Sequence, residues 1–233
     1  MTAFIKLKKT PIEEIIFTIS FNESVSIIKL DEFKALPQIS NKFSIVDKGP
    51  EMESEAKQRN KIDGYVLKCP ASRIIQAQRG SFAFHKVNGY ERFEILLKEL
   101  YEYWSLLVNI TGSLTINNLS VRYLNFLERA PNEKNSDVLN IYTTHPFGSN
   151  ITSSFYQLNL NYNTTSGIVA NVITADGDVV KGNGIILDIS LDKKITKEQN
   201  IDIIFSVFND MRMAKNEIFF KSITEATIKK YNQ

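Results

Sequence analysis

The 233 residues include one cysteine, two histidines, one tryptophan, six prolines and ten glycines. A lone Cys69 excludes an internal disulfide framework and fits a reducing compartment. So little proline and glycine excludes collagen-like and low-complexity chains. No apolar run approaches the roughly eighteen residues of a membrane-spanning helix. Charge of one sign is also missing: 28 basic residues face 26 acidic ones, for a formal charge of +2, so a broad electrostatic nucleic-acid surface is not expected. Met1 to Thr10 lacks the apolar stretch and cleavage site of a signal peptide, and the expected location is the cytoplasm.

Catalytic and cofactor motifs are absent too. There is no Gly-x-Ser-x-Gly elbow, no phosphate loop ending in Gly-Lys-Ser/Thr and no Gly-x-Gly-x-x-Gly fingerprint. Asp176-Gly177-Asp178 and Lys181-Gly182-Asn183-Gly184 read as turns, since no carboxylates follow at calcium-loop spacing and no phosphate-binding helix follows. His85 and His145 fall far apart and away from other ligands, so no metal and no cofactor are expected. Cys69, beside Pro70, reads as a buried thiol.

What the chain does contain is patterned apolar surface, including fifteen Phe and nine Tyr. Ile15, Phe17, Ile19 and Phe21 alternate with polar residues and predict a strand. Asp31 is placed to cap a short helix, and Gly49 to Asp63 reads as a polar loop. Short strands are expected at Tyr65 to Cys69, Arg73 to Arg79 and Ser81 to Lys86. From Tyr90 to Val108 a broad stripe of Phe93, Leu96, Leu97, Leu100, Tyr101, Trp104, Leu107 and Val108 at 3.6-residue spacing predicts a long helix, with Glu94 and Lys98 as an i,i+4 pair.

The order then repeats. Strands are expected at Leu119 to Leu127, Tyr156 to Tyr162, Ile168 to Thr174 and Ile185 to Leu191. Thr196 with Gln199 predicts the capped start of a second long helix through Ile201, Ile204, Phe205, Phe208, Met211 and Phe219. Thr224 is placed to cap a short final helix. The expected fold is therefore two-layer α+β, built from two pseudo-repeated halves, residues 1–112 and 113–233. Each half is an antiparallel meander with one long helix packed on the sheet, either as separate domains or as one continuous unit. An internal duplication of this kind would pair the two first strands and set both helices on one sheet face.

One polar face stands out: Gln157, Asn159, Asn161, Asn171 and Asp188, whose amides and carboxylate suit the reading of a peptide or a base. Arg73, Arg79 and Arg122, with Phe82, Phe84 and Tyr123 as stacking groups, make single-stranded nucleic acid an alternative ligand.

Three stretches resemble a sporadically distributed family of bacterial proteins of unknown function. They are Pro11-Ile12-Glu13-Glu14-Ile15-Ile16, Val121-Arg122-Tyr123-Leu124-Asn125-Phe126, and the ending Asn216 to Glu225 with its Phe-x-x-x-Ile-Thr-Glu pattern. The resemblance spans nearly the whole chain and implies a bacterial cytoplasmic protein, but no activity. Within these stretches Arg122, Tyr123 and Asn125 are candidates for an internal hydrogen-bonded cluster. The functional expectation is a non-catalytic protein that binds a protein partner or self-associates. An enzyme with a polar pocket assembled from dispersed residues, and a nucleic-acid binder, are the alternatives.

Overall fold

The two-residue period around Phe17 forms β1 (Ile12–Phe21), which buries Ile15, Phe17, Ile19 and Phe21 on one side. In the computed structural model, residues 7–47, 63–142, 157–177, 182–198 and 201–233 are described. After β1 come α1 (Ile27–Ala35), α2 (Pro37–Ser40), β2 (Ser44–Asp47), β3 (Gly64–Cys69), β4 (Arg73–Gln78), β5 (Ser81–Val87) and α3 (Phe93–Thr111). The second half follows with β6 (Ile116–Glu128), α4 (Asn135–Val138), β7 (Gln157–Asn163), β8 (Val169–Asp176), β9 (Gly184–Glu198), α5 (Ile201–Ser222) and α6 (Glu225–Lys230).

Among the described residues nine strands form one sheet in the order β2-β3-β4-β5-β1-β6-β9-β8-β7, and every neighbouring pair is antiparallel. The first strands of the two halves meet at its centre, where Phe17 lies opposite Val121 and Ile19 opposite Leu119. Outward from this pair each half repeats the sequence first strand, third meander strand, second, first. The architecture is internally duplicated, and β1–β6 joins the halves into a continuous sheet over a continuous apolar core.

Both long helices lie on the face that carries Phe17. Its ring meets Phe93 of α3 at 5.5 Å and Phe208 of α5 at 5.4 Å. The helices run antiparallel and touch directly: Tyr101 meets Phe205, while Arg212 Nη1 donates to Glu94 Oε1 at 2.7 Å. This long-range pair replaces the expected one between Glu94 and Lys98; Lys98 instead lies 4.0 Å from Glu102. The opposite sheet face carries partly exposed Glu14, Ile16, Thr18 and Ser20 on β1.

Several boundaries differ from the sequence reading for local reasons. Ser26 caps α1 by accepting from the Lys29 amide, so Asp31 falls inside the helix, where it binds Lys34 and the Tyr65 hydroxyl. Pro37 begins α2, because a first helical position needs no donor. β9 continues through Thr196 to Glu198, so the capping-box pattern misplaced the start of α5. Of the polar loop expected from Gly49 to Asp63, all but Asp63 lies outside the described residues. Thr224 does cap α6, accepting from the Thr227 amide and donating to the Asp137 carbonyl. Gly184, where β9 starts, needs its missing side chain: a Cβ there would lie 2.4 Å from the Phe126 ring. Among the described residues no helix is long and apolar enough to cross a membrane.

Candidate functional site

Cross-strand register puts Gln157, Asn159 and Asn161 of β7, Asn171 of β8 and Asp188 of β9 on one face of the sheet, opposite the helices. Asn171 Nδ2 donates to Asn159 Oδ1 at 2.6 Å and to Asn161 Oδ1 at 2.9 Å, so three of the five residues form an exposed amide row. Asp188 is different. It is 6% exposed and receives Arg122 Nε at 2.9 and 3.0 Å and Nη2 at 2.5 Å. The carboxylate raises the pKa of Arg122, and the pair locks β6 to β9 on this face.

Arg122, Tyr123 and Asn125 do not form the single cluster expected of them. Alternation sends Arg122 to the polar face and Tyr123 and Asn125 to the helix-covered face. Asn125 Nδ2 donates to the carbonyls of Tyr123 and Leu187, at 3.3 and 2.8 Å. Phe82, Phe84 and Tyr123, singled out as stacking groups, are fully buried under the helices, where no nucleic-acid base reaches them. Arg73 does not lie free over the sheet either: Glu99 and Glu91 bind it and raise its pKa. Arg79 donates to Ser24 at 3.2 Å.

His85, read as structural, sits on the polar face with Nδ1 2.8 Å from Glu14 Oε1. His145 lies outside the described residues. Cys69 is half-buried, and its sulfur accepts from the Ala71 amide at 3.4 Å. Among the described residues no three His, Cys, Asp or Glu side chains converge as metal ligands.

A second feature lies on the helix side. Where the first turn of α3 meets the C-terminal half of α5, above Ile12 and Asn125, a cavity of about 740 Å³ opens. Phe93, Tyr90 and Phe219 give it aromatic walls, and Arg212 and Lys215 line it from α5. Residues from all three stretches that carry the family resemblance meet here: Pro11 and Ile12, Asn125, and Asn216, Phe219 and Phe220.

Lys215 is the residue that the sequence reading passed over. It occupies a position in the buried stripe of α5, between Met211 and Phe219, that helical periodicity assigns to an apolar side chain. The gap in that stripe was the available signal. The residue is 8% exposed, with Nζ 4.6 Å from the centroid of the Tyr123 ring and 5.7 Å from that of Phe219. Among the described residues it has no ion pair and no hydrogen bond. Burial, reinforced by the Arg212 charge, lowers its pKa to about 7. Burial likewise pushes the Tyr90 hydroxyl to about 12 and that of Tyr123 well above its ordinary value. Two polar atoms in this region, Asn125 Oδ1 and the Tyr123 hydroxyl, are buried without a hydrogen-bond partner.

The sequence matches no family model and no curated protein.

Proposed function

We propose that this chain is a binding and assembly protein that joins a second copy of itself through the edge strand β7, rather than a catalyst. The observation that carries this reading is the character of that edge. β7 ends the sheet, is seven residues long, and contains no charge, proline or register shift. Proteins ordinarily blunt an exposed edge with such devices. The opposite edge, β2, is blunted: it has four residues and a shift between Ile45 and Asp47.

β7 is also complementary to itself. Antiparallel pairing centred on Leu160 sets Asn159 against Asn161 of the second copy, and the reverse. The amide row from Asn171 then continues across the junction on one face. On the other face Leu160 meets Leu160, and Leu158 meets Tyr162, which is 41% exposed in the single chain. Such an interface is a closed two-fold one, and main-chain hydrogen bonds supply much of its affinity. The lone thiol of Cys69 supports a reducing, cytoplasmic setting.

Symmetric cysteine cross-linking tests the register. In a Cys69→Ser background, Leu160→Cys is expected to give an oxidised covalent dimer, because both copies of residue 160 face each other. Gln157→Cys is expected to stay monomeric, since its two copies lie roughly 20 Å apart along the paired strands. No cross-link at 160, or equal cross-linking at both positions, overturns the proposal.

A further inference from the structure

We propose that the cavity between α3 and α5 binds a small carboxylic acid that carries an N–H or O–H donor on an apolar body. Lys215 pairs the carboxylate, and Asn125 Oδ1 accepts the donor. This site is separate from β7 and rests on different observations.

A buried ammonium without a partner is an unusual feature, because buried charges are ordinarily paired. Neither carboxylate of the cavity wall serves Lys215. Glu94 is held by Arg212 at 2.7 Å, with Arg92 at 3.9 Å. Glu91 is held by Arg73 at 2.9 Å, with Lys86 at 3.8 Å. Arg212 is itself occupied by Glu94 and packs over the Phe93 ring, 4.9 Å from its centroid. The remaining charges at the rim, Lys8 and Arg92, are both basic and exposed. The tyrosines facing this region, Tyr90 and Tyr123, are held neutral by burial. Lys215 is therefore left without a partner, and an incoming anion would supply one and draw a proton onto the amine.

The rest of the cavity narrows the class. Asn125 donates both amide protons to backbone carbonyls, so only its unpartnered oxygen remains to meet a ligand, and that oxygen accepts. Phe93, Phe219, Phe220 and Ile12 supply walls for an apolar or aromatic body, and a volume of about 740 Å³ is within the range that holds one small molecule. A single ammonium matches the single charge of a carboxylate, whereas phosphate recognition favours several donors or a bidentate guanidinium.

The test uses the full-length protein and three probes: para-hydroxyphenylacetate, para-hydroxybenzoate and indole-acetate, each compared with its methyl ester. Phenyl phosphate is a fourth probe. Calorimetric titration is expected to show binding of at least one acid and of none of the esters. Lys215→Met, which keeps the volume and removes the charge, is expected to weaken that binding about 10- to 100-fold, while Lys98→Ala, an exposed lysine of α3 away from the cavity, leaves it within a few-fold. Near pH 8, titration in buffers of different ionisation enthalpy is expected to show proton uptake on binding, since the amine is largely neutral when free and charged when paired. Failure of all three acids, equal binding of acid and ester, tighter binding of phenyl phosphate, or unchanged affinity in folded Lys215→Met would each overturn the proposal.

Discussion

The ammonium of Lys215 lies 4.6 Å above the centroid of the Tyr123 ring, inside the apolar seam that α5 lays across the sheet. A cation over an aromatic face recovers part of its lost hydration, but not enough to hold the amine at its ordinary pKa of 10.5, which falls to about 7. The position links the geometry of the helix to a measurable property of the whole protein.

That property is the dependence of stability on pH. The folded pKa of Lys215 is depressed, so between pH 7 and 10.5 the unfolded chain binds a proton that the folded chain does not, and stability rises with pH. The slope is about 1.4 kcal/mol per pH unit from this group. Urea unfolding of wild type and Lys215→Met near pH 7 and pH 9 is expected to show wild type gaining roughly 2–3 kcal/mol on the variant as the pH rises. At neutral pH the variant is expected to be at least as stable as wild type, because it removes an unpaired buried charge. Parallel pH dependence of the two proteins would place the amine in water.

The aromatic core of the first half is the second point of test. Trp104 is 5% exposed and lies 5.9 Å from both Phe21 and Phe82, so its ring fills the space between α3 and two strands of the sheet. Trp104→Ala is expected to destabilise the protein by about 3–5 kcal/mol in denaturant unfolding. A loss below about 1 kcal/mol would show that the site collapses around the smaller side chain.

The sequence carried the architecture because the architecture rests on periodicity. The stripe from Phe93 to Leu107 and the alternation around Phe17 each state which side is buried, and two such patterns in the same order announce two similar halves. The polar face was legible for the same reason: Asn159, Asn161 and Asn171 fall on one side by strand alternation alone. What periodicity does not carry is partnership. Whether Asp188 is free or bound depends on Arg122, 66 residues away in sequence. Strand alternation, read strictly, already separates Arg122 from Tyr123 and Asn125. Lys215 escaped notice because lysine in a helix ordinarily extends its charge to water. Here the side chain lies over the Tyr123 ring of β6, a contact that exists only once α5 has packed on the sheet.

The most direct measurement of the proposed function is the mass of the native protein in solution, by light scattering or sedimentation over a range of concentrations. The edge-strand reading predicts twice the chain mass of 26.6 kDa for wild type. It predicts a return to the mass of one chain when Asn159→Lys and Asn161→Lys place charge on the β7 edge, with the far-ultraviolet circular dichroism unchanged. A wild-type protein that stays at 26.6 kDa throughout, or a folded double variant that keeps the doubled mass, would contradict it.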